Sequence, residues 1–397
     1  MRSLFGFRCL TRQVLFTIGT VTVIGVLMLS LPVLTVAAPS TTAPGDNPAQ
    51  ELSQQSNTQS NVSLVANRTR TQMNVSPVAN EIVPFFGVYP GGGTGETPGI
   101  PNPDARVVDQ RLKELASGRP LAVHLYTAWS WHNDSDLDAQ IARYTGAGLK
   151  VTLTIKYSPP QGHVGDIAGY ESFVRSVVKR YANNRSVVSY VVGNEANVAG
   201  NPDASDGPFA GARTAVVRGT IAARSELASL GSPARVGVNF AVGSAKENSE
   251  YLRDLVAQGG DEFLSAVQFI GINVYPGIWQ AGTGDSYRDM VGALELGRAS
   301  IDAVAGLAGR PLEVREAGAP LIDEAEKARR VQAFTQAVVD QRTRLNIGHF
   351  SWFDLWDADS SSTYQFAHYG LLRSDLSHTA SFQAYKDLIA RTVDIKA

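Results

Sequence analysis

Two glutamates stand out by what precedes them in the chain. Glu195 follows the apolar run Val187-Val188-Ser189-Tyr190-Val191-Val192, and Glu316 ends Leu312-Glu313-Val314-Arg315-Glu316, where alternation puts Leu312, Val314 and Glu316 on one side. A carboxylate carried from a dry strand into a cleft has a chemical use when a second one faces it. A pair about 5–5.5 Å apart suits cleavage of a glycosidic bond with retention: one carboxylate attacks the anomeric carbon, and the other protonates the leaving oxygen and then activates water. The two tasks need different pKa values at one pH, the acid kept protonated by nearby negative charge and the nucleophile kept ionised by hydrogen bonds. Taken singly, each glutamate is as readily a rim carboxylate stabilised near a helix amino terminus; their joint placement favours chemistry. Glu313 is a competing nucleophile, but mid-strand on the opposite face, with Arg315 beside it, it ranks far below Glu316.

The elements that must position this pair follow from periodicity. Eight short apolar runs read as strands: Val83 to Tyr89, Leu121 to Thr127, Lys150 to Tyr157, Val187 to Gly193, Arg235 to Val242, Val267 to Tyr275, Leu312 to Glu316 and Ile347 to Phe353. Between them lie stretches with helical spacing, such as Phe173, Val177 and Tyr181. Strand alternating with helix predicts an α/β fold with a parallel sheet, and eight units predict a closed (β/α)8 TIM barrel over residues 81–397. An open doubly wound sheet is the structural alternative, but its glycine fingerprint is missing: Gly91-Gly92-Gly93-Thr94-Gly95 runs on into Glu96, and the segment is expected in a cleft wall instead. In a closed barrel the site gathers at the carboxyl ends of the strands. Strands four and seven lie roughly opposite each other, so Glu195 and Glu316 are expected to meet across the mouth. Tyr157 ends strand three, and Asn273 and Tyr275 end strand six; all three are placed with the ligand-binding set. Trp131 and Trp279 sit in loops among polar or glycine neighbours and are the better sugar-stacking candidates, ahead of Trp129 and Trp356.

Here the motifs resemble a known group. Val191-Val192-Gly193-Asn194-Glu195 resembles the strand-four signature of clan A glycoside hydrolases. Ile272-Asn273-Val274-Tyr275-Pro276 is similar to their strand-six segment, and Val314-Arg315-Glu316-Ala317-Gly318 to their strand-seven ending. Phe350-Ser351-Trp352-Phe353 with Tyr369-Gly370-Leu371-Leu372 resembles their strand-eight tryptophan and following loop. The likeness spans Val83 to Ala397 and includes features of family 5 cellulase- and mannanase-like and family 17 β-1,3-glucanase-like enzymes. It implies Glu195 as acid/base, Glu316 as nucleophile, Asn194 bonded to the sugar 2-hydroxyl, Tyr275 as positioning partner of the nucleophile, and Trp352 as sugar platform. The chain departs from family 5 at Lys156-Tyr157, where a histidine is usual, and Arg315 before the nucleophile is unusual. A non-catalytic carbohydrate-binding barrel and a transglycosylase with the same site are the alternatives.

Composition agrees with a neutral partner. The 397 residues carry 35 Lys plus Arg against 37 Asp plus Glu, a net charge of −2, with one cysteine, Cys9. A disulfide scaffold is thereby excluded and a polybasic nucleic-acid surface is not expected. Arg2, Arg8 and Arg12 precede the uncharged stretch 14–38, so residues 1–38 read as a signal peptide or a membrane anchor, and the protein is expected to be secreted or held at the cell envelope. Residues 39–80, rich in Ser, Thr, Asn, Gln and Pro, read as a disordered linker. The six histidines show no metal spacing. Asp134-Ser135-Asp136-Leu137-Asp138 fits helix capping better than a calcium loop, since Ala139 replaces the required glycine. A monomer acting on a β-linked poly- or oligosaccharide, without metal, cofactor or nucleic acid, is expected.

Overall fold

In the computed structural model, residues 83–94, 97 and 103–392 are described; the stretches expected to act as a targeting segment (1–38) and a linker (39–80) lie outside them. The order is β1 (Phe86–Val88), α1 (Ala105–Ala116), β2 (Ala122–Ala128), α2 (Asp134–Gly146), β3 (Lys150–Lys156), α3 (Ile167–Tyr181), β4 (Val187–Val192), α4 (Ala212–Ser229), β5 (Arg235–Ala241), α5 (Ala245–Ala266), β6 (Phe269–Val274), α6 (Ser286–Asp302), β7 (Leu312–Ala317), α7 (Glu324–Gln341), β8 (Ile347–Trp352) and α8 (Ala380–Arg391). All neighbouring strands pair in parallel and β1 closes on β8, giving the (β/α)8 barrel the periodicity predicted. The Asp134-Ser135-Asp136 segment opens α2, whose cap is Asn133: its side chain accepts from the Ser135 and Asp136 amides.

The strands alternate between an apolar outer face and a polar inner one. Ile272 packs toward α6, Val192 toward α3 and α4, and Phe350 and Trp352 toward Tyr385 of α8. The inner face is unusually charged for a barrel core. Arg235, Glu313 and Arg315 form a chain of ion pairs, with Arg315 Nη1 donating to Glu313 Oε2 at 3.0 Å and Arg235 bonded to Glu313 Oε1. Glu313 and Arg315 are both fully buried. Burial pushes the Glu313 carboxyl up, but the two guanidinium groups outweigh it and hold the pKa below the usual value. Room for Arg315 comes from Gly271 on the adjacent strand: a Cβ there would stand 2.5 Å from Arg315 Cγ.

One expectation about β7 needs correction. Strict alternation placed Glu316 with Leu312 and Val314, opposite Glu313 and Arg315. The register shows otherwise: Gly271 pairs with Glu313 and Ile272 with Val314, but Asn273 pairs with Glu316, so Arg315 is an extra residue in the ladder. This bulge resets the phase. Val314 faces outward with Ile272, whereas Glu313, Arg315 and Glu316 all face the barrel interior.

Candidate active site

Glu195 and Glu316 line one cleft of about 1240 Å³ at the carboxyl ends of the strands. Glu195 sits just past β4 in a left-handed backbone conformation (φ 51°), two residues after Gly193 (φ 77°). Such a conformation is uncommon for a residue with a side chain and is held by its surroundings. Here Asn239 Oδ1 accepts from the Glu195 amide at 3.0 Å. Gly193 itself has no room for a larger residue, since a Cβ would lie 2.4 Å from Val216 Cγ2.

The two carboxylates are held by different partners. Glu316 accepts from two phenols, Tyr126 at 2.7 Å on Oε1 and Tyr275 at 2.6 Å on Oε2. Glu195 Oε1 accepts from Asn273 Nδ2 at 2.7 Å. Asn273 also lies on the Glu316 side of the cleft, its Cα paired with that of Glu316 across β6 and β7. Asn239 donates to Asn194 Oδ1 at 2.7 Å and to Asn273 Oδ1 at 3.4 Å, so three amides at the ends of β4, β5 and β6 form a chain that orients Glu195.

Their proton affinities differ for physical reasons. Burial and the neighbouring Glu316 charge push Glu195 up to about 8. Burial also raises Glu316, but the Tyr275 and Tyr126 phenols and Lys156 oppose that rise. The phenols oppose the rise at Glu316 and not at Glu195, so a proton on the pair is favoured at Glu195. Burial, followed by the Glu316 charge, drives both phenols well above their usual range, so they stay protonated donors. A further acid, Asp354, is fully buried with neither carboxyl oxygen hydrogen-bonded; burial, then the charges of Glu316 and Asp357, push it well above the usual carboxylate range.

The remaining sequence candidates divide. Asn194, Asn273, Tyr275, Trp131 and Trp279 line the cleft. Asn194 Nδ2 donates to Ala204 O at 2.8 Å, which leaves one amide N–H uncommitted. Trp352 does not reach the cleft. It is fully buried against Tyr385, because alternation along β8 turns it toward the helices; the next residue, Phe353, lines the cleft in its place. Tyr157 is likewise fully buried, donating to Ala210 O at 3.2 Å and accepting from Gly165 N at 2.8 Å, so it braces loops rather than facing a ligand. Trp129 and Trp356 are also absent from the lining, whereas Gly93 and Thr94 form part of the wall as expected.

Several cleft residues were not singled out from sequence. Tyr126 is one; its inward direction was readable from β2 alternation, but its partner lies on β7. Lys156 lines the cleft with Nζ donating to Asp203 O at 2.7 Å and Ala204 O at 3.2 Å. Asp206 is buried behind the wall, where Oδ2 accepts from the Tyr157 and Asn194 amides and ties the ends of β3 and β4 together. Nothing in the local sequence marks it. Among the described residues no group of three His, Cys, Asp or Glu side chains is placed to hold a metal.

No family model matches the chain, and no curated protein matches it. Solved structures do. The GH5_18 protein of Bifidobacterium longum subsp. longum, solved with Manb1-4GlcNAc, is 15% identical with a TM-score of 0.56, covering 78% of each chain. A family 39 glycoside hydrolase of Bacteroides cellulosilyticus is 14% identical with a TM-score of 0.53, covering 79% of this chain and 64% of its own. A β-glucosidase of Exiguobacterium marinum is 15% identical with a TM-score of 0.54, covering 80% of this chain and 99% of its own. At these identities the likeness is one of fold. It includes a family 5 member, as the motifs led one to expect, and does not single out family 17.

Proposed function

We propose that this protein is a retaining glycoside hydrolase that cleaves a β-linked, largely neutral poly- or oligosaccharide outside the cytoplasm. The observation that carries the proposal is the pairing of two unlike carboxyl groups in one cleft: Glu195 bonded by Asn273 and pushed toward its protonated form by burial and the Glu316 charge, and Glu316 fixed by two phenols. Fold alone would not support it, because one barrel hosts many functions. The glycoside hydrolases among its structural neighbours add weight without deciding the reaction.

In the first step a Glu316 oxygen bonds to the anomeric carbon as the carbon–oxygen bond to the leaving group breaks, and the Glu195 proton passes to that departing oxygen. A glycosyl ester of Glu316 results. Glu195, now a carboxylate, takes a proton from water as the water oxygen attacks the anomeric carbon, and Glu316 leaves. The phenols serve both steps, since their hydrogen bonds hold Glu316 in line for attack and stabilise it as a leaving carboxylate. The test is a 2-deoxy-2-fluoro β-glycoside with a good leaving group, which slows the second step. A mass increase of one fluorosugar on the peptide containing Glu316 is expected. Binding without a mass increase would leave a carbohydrate-binding barrel, and an ester on another residue would remove Glu316 from its role. Product analysis with and without an added sugar acceptor separates hydrolysis from transglycosylation.

A further inference from the structure

Trp131 follows β2 and Trp279 follows β6, four positions apart in a closed ring of eight strands, so the two indoles stand on opposite sides of the barrel mouth. Both line the cleft that holds Glu195 and Glu316, and each is 55% exposed. The other three tryptophans pack into the protein. Trp279 is also braced: Phe366 lies parallel to it at 5.1 Å and 6°, and Tyr369 continues the stack at 6.2 Å and 21°. An indole backed on one face and still half exposed presents its other face as a flat apolar surface, which suits the axial C–H groups of a sugar ring.

The space between is large. At about 1240 Å³ the cleft exceeds the roughly 300–1,000 Å³ of an ordinary small-molecule pocket, and its lining draws on the ends or loops of all eight strands. Its charges suit an uncharged chain. Apart from the catalytic pair, Lys156 is held by backbone carbonyls, Arg213 pairs with Asp254 at 3.1 Å, Glu247 is taken up in capping α5, and the remaining charged lining residues, Asp203 and Glu250, are acidic. A polyanionic saccharide would find no row of cations to meet it.

We propose that the enzyme cuts internal bonds of an extended neutral β-linked chain, with sugar rings bound on both sides of the glutamate pair, one flank resting on Trp131 and the other on Trp279. This rests on the glycoside-hydrolase function proposed above. A site built for chain ends needs lining on one side of the pair only, whereas this cleft carries an exposed tryptophan on each side.

The full-length protein is tested on mixed-linkage β-glucan, β-1,4-mannan and β-1,4-galactan, and then on reducing-end-labelled hexasaccharides of whichever polymer it cleaves. Wild type is expected to lower polymer viscosity early and to release oligosaccharides of several lengths from the start. Trp131→Ala and Trp279→Ala each shift the preferred bond of the labelled hexasaccharide, in opposite directions, with kcat/KM falling about tenfold, the worth of one good aromatic contact. Both side chains are exposed, so both variants are expected to fold, and circular dichroism checks this. Release of a terminal unit alone from the first time point overturns the inference, as does a wild-type cleavage pattern in both variants. If no polymer is cleaved and the fluorosugar leaves no ester, the proposed hydrolase function fails first and takes this inference with it.

Discussion

In the proposed reaction Glu195 works as an acid only while it holds a proton that water would remove from an ordinary glutamate. Burial and the Glu316 charge raise it to about 8, so activity is expected to fall as pH rises through that value, where Glu195 loses the proton it must donate. The acidic limb belongs to Glu316, which must be ionised to attack; together they give a bell whose two apparent values describe the pair. The phenols set the position of the acidic limb. Each donates to the carboxylate and favours the charged form, so Tyr126→Phe or Tyr275→Phe is expected to move that limb upward by about one pH unit and leave the alkaline limb near its place. An unmoved acidic limb in both variants would separate the phenols from Glu316 ionisation. Glu195→Gln and Glu316→Gln are each expected to lower kcat by about 10²-fold or more with an unchanged thermal midpoint, read by circular dichroism and initial rates. Near-wild-type turnover in either would strip that residue of its role.

At the level of elements, what was readable in the sequence follows from what each signal measures. Apolar runs report burial, and all eight strands were found that way, with boundaries within two residues except for β1, where only Phe86–Val88 pair. Period-two alternation reports facing direction, but only while the ladder is unbroken. The bulge at Arg315 has no local marker, so it was hidden that Glu313 and Arg315 share the inner face with Glu316. On β8 the ladder position of Trp352 against α8 decides that Phe353, one residue later, reaches the cleft. Partners such as Tyr126 and Glu316 sit 190 residues apart, beyond any spacing rule. The bulge brings its own energetic consequence, since Arg315 next to the proposed nucleophile is held by Glu313, which also binds Arg235. Glu313→Gln leaves a buried guanidinium without its counter-charge and is expected to destabilise the fold by about 3–5 kcal/mol in urea unfolding. A loss below about 1 kcal/mol would mean that the inner ion pairs are incidental to β7.

For the molecule as a whole, the point of closure is its shortest strand. β1 has three residues, yet among the described residues it is the strand that joins β8 to β2. Flanking bonds reinforce it: Phe350 N donates to Phe85 O at 2.7 Å, Tyr89 N to Trp352 O at 2.9 Å, and the Tyr385 hydroxyl to Gly87 O at 2.8 Å. Phe85, Phe86 and Val88 are buried in the core. Removing them would open two parallel edges inside a fold whose strands are otherwise paired on both sides, which favours association between chains. The same segment builds the cleft, because Tyr89 stacks on Phe353 at 5.1 Å and 11° and meets Tyr126 edge-on at 5.4 Å. Stability and catalysis are therefore expected to share one boundary. A chain starting at residue 81 is expected to melt within about 3 °C of the full-length protein, a change of less than ~1 kcal/mol, and to keep its activity. A chain starting at residue 90 is expected to lose the cooperative transition and to elute as aggregate in size-exclusion chromatography. A folded, active protein beginning at residue 90 would show that the barrel holds without its first strand, and a chain beginning at 81 that fails to fold would place part of the structural core upstream of Val83.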